Sequence, residues 1–259
     1  MARGDLTDLR IIQLSDCHVA ADRSALYRGL QAERNLVALL PAIRRWQPDL
    51  LLLTGDVSED ASAASYGRVS ALLDSVGAPV LALPGNHDDP AVMRRFFPRG
   101  PWDAPLFHGA RGWQLVLLDS TGPGRIDGVL SRPHLQALKN GLQRSRSEHV
   151  LVALHHQPVP VGSPWIDRYA LDEPEWLLGL LDRDARVRGI VFGHVHQAIG
   201  LERKGVLLLG APSSVANSLP ERDTFTLDVG GPACRWLRLS AEGRIETGIL
   251  HSAATRQRD

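Results

Sequence analysis

Seven residues of metal-ligating type stand at the ends of five apolar runs, and they are the part of this chain equipped for chemistry. The runs end in Leu14-Ser15-Asp16-Cys17-His18, Leu53-Thr54-Gly55-Asp56, Leu83-Pro84-Gly85-Asn86-His87-Asp88, Leu154-His155-His156 and Phe192-Gly193-His194-Val195-His196. The candidate ligands are Asp16, His18, Asp56, Asn86, His155, His194 and His196. Carboxylate, carbonyl and imidazole donors in this mixture suit borderline divalent ions such as Mn, Fe or Zn. Seven donors are too many for one ion and match two ions that share a carboxylate. Asp16-x-His18 and His194-x-His196 read as extended chain, in which residues i and i+2 face the same side. Each pair is then expected to offer two ligands to one site, with Cys17 turned away into the core.

Each fragment alone has a structural reading. Asp-x-His suits a strand-end turn, Gly55-Asp56 a helix cap, Pro84-Gly85-Asn86 a turn, and His155-His156 a surface loop. Their joint occurrence at five strand ends favours a site. In α/β sheets, ligands bind beyond the carboxyl ends of the strands.

The elements that must position these groups alternate. Short apolar runs predict buried strands at Leu9–Leu14, Leu50–Thr54, 79–83, 113–118, 150–154 and Val187–Phe192. Helical spacing predicts helices over 30–46, ended by Pro48, and over 63–76. Further helices are expected over 90–97, over 131–142 with Ser131 as N-cap, and from about residue 175. After His196 short strand signals follow one another at 198–202, 206–209, 223–229, 234–239 and 244–249, which reads as an antiparallel meander. Residues 251–259 read as frayed. No linker or repeat divides the chain, so a single domain over 1–259 is expected.

Composition narrows the class. Lys+Arg and Asp+Glu balance at 29 each, which offers no general attraction for nucleic acid or an anionic membrane. The two cysteines, Cys17 and Cys234, are too few for a disulfide framework. No apolar run approaches a membrane span, and the charged first ten residues lack the apolar core of a secretory signal. A cytoplasmic protein with no membrane partner is expected.

The series Asp16-x-His18, Gly55-Asp56, Gly85-Asn86-His87-Asp88, His155 and Gly193-His194-x-His196 resembles the signature of the calcineurin-like metallophosphoesterases. Further stretches are similar to one branch, the bacterial class III cyclic-nucleotide phosphodiesterases. Among them are Pro48-Asp49-Leu50, Leu118-Asp119-Ser120, the run from Pro160 to Asp167, Ala211-Pro212-Ser213 and Arg235-Trp236-Leu237. The resemblance implies an α/β four-layer sandwich, with two mixed β-sheets flanked by helices. It implies two divalent or mixed-valence metal ions. Asp16, His18, Asp56 and His196 would hold one, and Asp56, Asn86, His155 and His194 the other. A hydroxide between them would attack phosphorus, and His87 would hydrogen-bond a phosphoryl oxygen or protonate the leaving alkoxide. Asp88 is expected either to orient a histidine or to cap the helix before Pro90. The implied reaction is hydrolysis of 3′,5′-cyclic AMP to 5′-AMP.

The rival readings are a broader phosphodiesterase (glycerophosphodiesters, 2′,3′-cyclic nucleotides, nucleotide diphosphate conjugates) and a non-catalytic scaffold. Related enzymes are often homodimers, and the sequence does not decide that state. Substrate contacts are expected from Asn86 and His87, from Trp165 in a loop over 158–171, and from Asn217 as a hydrogen-bonding partner for a base. His108, His134, His149, His156 and His251 read as surface groups or as neighbours of the ligands, His156 being the one that could lie near substrate. The chain departs from the branch at Gln157, where a further His is common. It also departs at Ala211–Leu219, where Thr-Pro-Ser-Thr followed by Cys, Gln and Phe is usual, which bears on recognition of the substrate's organic part.

Overall fold

The computed structural model describes residues 8–252. In chain order the elements are β1 (Leu9–Leu14), α1 (Ala32–Trp46), β2 (Leu50–Thr54), α2 (Ala63–Asp74), β3 (Val80–Leu83) and α3 (Pro90–Met93). There follow β4 (Leu106–Ala110), β5 (Trp113–Leu117), α4 (Arg132–Arg144), β6 (His149–Leu154), α5 (Pro164–Asp167), α6 (Pro174–Leu181) and β7 (Val187–Phe192). The last are β8 (Ile199–Arg203), β9 (Val206–Gly210), β10 (Asn217–Ser218), β11 (Leu227–Asp228), β12 (Ala233–Leu239) and β13 (Ile245–His251).

Two mixed sheets form, a five-stranded one ordered β13-β12-β1-β2-β3 and a six-stranded one ordered β4-β5-β6-β7-β9-β8. Side-chain alternation along the strands explains why they stack. In β1 and β2, Ile11, Leu50 and Leu52 pack toward the second sheet, against Leu115, Leu117 and Leu151. Their neighbours Ile12, Leu14, Leu51 and Leu53 pack toward α1 and α2. On the far side, Val150, Val152 and Ile190 meet Leu138 of α4 and Leu177 and Leu181 of α6. The central parallel strands are therefore apolar on both faces, as buried parallel strands are. The result is helix, sheet, sheet, helix.

Helix starts follow their caps. Ser62 accepts from Ser65 N and Ser131 from His134 N, while Asp89 accepts from Ala91 N and Val92 N. No helix among the described residues is long and apolar enough to cross a membrane.

The expected antiparallel meander after His196 is not one unit. β8 and β9 form a hairpin, but β9 lies parallel to β7 in the second sheet, whereas β12 and β13 join the first sheet antiparallel to β1. Strand signals fix an element's existence and leave its partner open. The stretch expected as a strand over 223–229 keeps only Leu227–Asp228 paired. Of the stretch expected to fray, His251 belongs to β13, and residues 253–259 lie outside the described residues.

Candidate metal centre

The carboxyl ends of β1, β2, β3, β6 and β7 all open onto one rim, and the candidate ligands follow directly from them. Backbone bonds hold these ends together: Asp16 N to Gly55 O (3.0 Å), His18 N to Asp56 O (2.9 Å) and Gly193 N to His155 O (3.0 Å). The i, i+2 pairs are not extended, contrary to expectation. Asp16, His18, Asp56, His194 and His196 have φ of 52°, 42°, 50°, 67° and 51°, in the left-handed region. That region costs a non-glycine residue roughly 1–2 kcal/mol, and such strain concentrates at functional sites. Two glycines permit the close approach. A Cβ on Gly85 would stand 2.1 Å from Asp56 Oδ1, and one on Gly193 would stand 2.0 Å from Ser15 Oγ. Cys17 is buried in the core, away from the ligands, as expected.

The donors gather in two clusters. In one, His196 Nε2 is 3.3 Å from Asp16 Oδ1 and 3.4 Å from His18 Nε2. In the other, His155 Nε2 is 3.2 Å from both Asn86 Oδ1 and His194 Nδ1. Asp56 Oδ2 lies between them, 3.7 Å from His18 Nε2 and 3.5 Å from His155 Nε2. Ligands sharing an ion with bonds near 2.1 Å stand roughly 3–3.5 Å apart; all these spacings fall within that range except the His18–Asp56 pair, which stands slightly outside it.

Ring tautomers sharpen the case. His155 Nδ1 donates to Thr54 O (2.8 Å) and His196 Nδ1 to Ala216 O (2.7 Å). A carbonyl only accepts, so these nitrogens carry the protons. His18 Nδ1 donates in the same way to Glu59 Oε2 (2.7 Å). In the neutral rings the Nε2 lone pairs of His18 and His196 then face each other inside a buried site. A shared metal ion would satisfy both, and outward N–H bonds of this kind are how proteins orient histidine ligands. Buried His194 Nε2 has no partner among the described residues. The clusters are able to hold a dinuclear metal site.

Electrostatics agree. Burial works against charge on Asp56, yet His155, His18 and His87 hold its carboxyl well below the usual carboxylate range. Asp16 is likewise lowered, by His196 and His155 against its burial. Burial lowers His18 and His194, favouring the neutral ligating form. His155 resists its burial because Asp56 pushes it up to about 9, and the same negative charge attracts a cation.

His87 sits half-buried beside the clusters, its Nδ1 3.2 Å from Glu59 Oε2. That hydrogen bond, against partial burial, pushes His87 up to about 9. Glu59 thus serves His18 and His87 together and is held at about 2 by their hydrogen bonds, against its burial. The sequence reading missed it. The available signal was an acidic residue three positions after Asp56. Asp88 neither orients a histidine nor caps the helix. It accepts from Val57 N, Ser58 N, Gly85 N and the Tyr66 hydroxyl, clasping the loops that carry Asp56 and Asn86. The cap belongs to Asp89.

The expected substrate contacts separate. Trp165 lies at the rim, its ring 6.4 Å from that of His196. Asn217 does not present a free carboxamide. Its Oδ1 accepts from Ser213 N, and its Nδ2 donates to Ser213 O and Gly231 O, so both donor hydrogens are spent inside its own loop. His156 is buried, with Nδ1 at 2.8 Å from Ser120 Oγ and Nε2 donating to Ile126 O. Burial and the neighbouring His155 push it down to about 3. His149, expected at the surface or beside the ligands, is buried and bonds Ala241 O. Gln157, where the branch often has histidine, donates to Ile166 O and its backbone carbonyl accepts from Leu171 N, anchoring the loop that bears Trp165.

Sheets that deliver two donor clusters bridged by one carboxylate define a metal-dependent phosphoesterase. Residues 9–198 match the calcineurin-like phosphoesterase family, and the chain belongs to it. Within it, the chain is similar to the 3′,5′-cyclic adenosine monophosphate phosphodiesterase CpdA of Pseudomonas aeruginosa. The two are 37% identical over 241 residues, 92% of this chain and 88% of that protein. Among solved structures, a dimetal phosphatase from Danio rerio gives a TM-score of 0.69 at 16% identity, covering 95% of this chain and 100% of that one. GAP50, the anchor in the inner membrane complex of Plasmodium, gives 0.63 at 12% identity, covering 95% and 85%. These two likenesses show the fold alone. An anchor shares it, so catalysis must be read from the donor set.

Proposed function

We propose that this chain is a dinuclear-metal phosphodiesterase that hydrolyses 3′,5′-cyclic AMP to 5′-AMP. The observation that carries the reading is the placement of Asp56 Oδ2 within 3.7 Å of a histidine nitrogen from each cluster. Asp16, His18, Asp56 and His196 would hold one ion, and Asp56, Asn86, His155 and His194 the other. When bound, the ions neutralise phosphate charge and acidify water enough to supply the attacking group near neutral pH. Mixed nitrogen and oxygen donors favour Mn, Fe or Zn.

The protein's own groups do the rest. The strand-end loops fix the seven donors before substrate arrives. The hydrogen bond to Glu59 keeps a proton on His87 at neutral pH, so His87 can donate to the leaving alkoxide. Similarity to a cyclic AMP phosphodiesterase over 92% of the chain supports the substrate. That substrate and two unpaired, buried cysteines are consistent with a cytoplasmic enzyme. A scaffold would have no use for these donors or for a charged His87.

The test is a panel of cyclic AMP, cyclic GMP, 2′,3′-cyclic AMP, glycerophosphocholine and a generic aryl phosphodiester, with Mn²⁺ supplied. Cyclic AMP should be converted to 5′-AMP. Turnover of the aryl diester or glycerophosphocholine without cyclic AMP would replace this reading by the broader phosphodiesterase. Inactivity toward all five would leave a scaffold.

A further inference from the structure

Beside the first donor cluster stands a wall of aromatic rings that the metal chemistry does not use. Tyr27 lies flat on His18, with ring centroids 3.8 Å apart and planes 7° from parallel. The rings of Phe225 and Trp165 stand edge-on to His196 at 6.0 and 6.4 Å and to each other at 5.3 Å. Across this wall lies Arg28, its guanidinium 3.7 Å from the centre of the Phe225 ring.

The wall is built. Tyr27 and Leu30 exchange both backbone hydrogen bonds at 2.9 Å around Arg28 and Gly29, whose φ values are 49° and 82°. That is the two-residue turn with both central residues left-handed, which asparagine or glycine normally fills. Arg28 is thus held at a strained turn tip, and among the described residues it forms no ion pair. On the other side, Trp165 N donates to Arg222 O (3.3 Å) and Glu221 N to Ser163 Oγ (3.0 Å). These bonds tie the Trp165 loop to the segment that carries Phe225.

Resting on the reading of the enzyme as a cyclic-nucleotide phosphodiesterase, we propose that Phe225, Trp165 and Arg28 form its base-binding surface, which grips the nucleobase by stacking and does not read its hydrogen-bonding edge. The wall borders the first donor cluster, with the Phe225 and Trp165 rings 6.0 and 6.4 Å from that of His196, so the organic part of a phosphodiester held there would lie beside it. The planar guanidinium already lies where a planar ring would stack on Phe225. Two side-chain amides suited to reading a base are engaged elsewhere: the Asn217 donors within their own loop, and Gln197 with Ser163 and Leu219. What remains is π surface and a planar cation; the indole N–H of Trp165, which has no acceptor among the described residues, is buried. Stacking accepts any base because every base has a π face. Strong discrimination needs hydrogen bonds that a wrong ligand leaves unpaired.

The test compares product-like ligands in the metal-loaded protein, by calorimetry and by competition against turnover. The wild type should bind 5′-AMP about 5- to 150-fold more tightly than ribose 5-phosphate, the worth of one stacked base. It should bind 5′-GMP within about tenfold of 5′-AMP. Phe225→Ala should bring the ratio of 5′-AMP to ribose 5-phosphate affinity near one with metal content unchanged, and Phe225→Trp should keep it. Arg28→Gly, which relieves the left-handed turn and leaves folding intact, should lower the ratio independently. Equal binding of the two ligands by the wild type would overturn the proposal. So would an undiminished ratio in Phe225→Ala or Arg28→Gly, or a preference beyond about tenfold between the purines. Failure of the functional reading shows separately, as absence of 5′-AMP formation from cyclic AMP by the wild type.

Discussion

Gly85→Ala isolates what close packing does for the bridging carboxylate. Gly85 does not have a left-handed φ, so alanine's backbone is tolerated and the effect is steric. The new Cβ would lie 2.1 Å from Asp56 Oδ1, 2.4 Å from Asp56 N and 2.8 Å from its Cγ. The side chain can rotate, but the backbone nitrogen must travel with its loop. Moving it from 2.4 Å to the 3.4 Å where ordinary contact begins is a shift of about 1 Å. Displacement of that size costs a positioned catalytic array about 10²-fold in rate, and overpacking costs about 1–3 kcal/mol of stability. The expected outcome is a folded variant with a lowered melting temperature, fewer than two ions per chain and kcat reduced about 10²-fold. It is read by metal analysis, calorimetry and turnover on one preparation. Gly179→Ala is the control. Gly179 lies in α6 with nothing within 4 Å of an added Cβ, and the change should stabilise by up to about 1 kcal/mol. A Gly85→Ala enzyme with two ions and wild-type kcat would refute the reasoning.

Three other perturbations follow from the same geometry. Asp88→Asn replaces one of two accepting oxygens with a donor that faces N–H groups. Charge-assisted bonds at about 1.5–3 kcal/mol each put the loss at about 2–3 kcal/mol by denaturant titration, and an unchanged midpoint would remove the loop-clasp role. Glu59→Gln takes away the carboxylate that raises His87, so the His87 pKa falls. Activity that needs the protonated ring should then disappear at lower pH, moving the alkaline limb of kcat/KM toward acid, and an unmoved limb would assign it to another group. Removing metal with a chelator should abolish turnover. It should also lower the melting temperature by about 5–15 °C, the effect of losing a ligand present at 100 to 1,000 times its Kd, with both restored on adding Mn²⁺. A melting temperature indifferent to metal would mean that the donors bind none.

The seven donors were legible because each is local: an apolar run, a turn, then a ligand-type side chain. Leu9–Leu14, Leu50–Thr54 and Val187–Phe192 match their expected bounds because strands buried on both faces are apolar throughout. Leu106–Ala110 went unread because His108 and Gly109 interrupt its apolar character. The destination of β9, β12 and β13 is decided by which sheet edge is open, a property of the assembled fold. Glu59 and Tyr27 act through contacts across loops, 41 residues from His18 in the first case, and no local pattern announces such a pair. Asn217 misled for the opposite reason. A polar side chain near the site was read as free when its own turn had engaged it.

The left-handed backbone at five ligand positions sets the terms on which this protein can evolve. At each, the residue that chemistry requires is one that the backbone disfavours, and glycine would sit there more comfortably. Selection for stability and selection for metal binding therefore pull in opposite directions at the same codons, a conflict typical of active sites. A descendant released from catalysis would gain robustness by shedding Asp16 or His196 for glycine. The candidate ligand set is thus the first thing a drifting copy of this gene should lose.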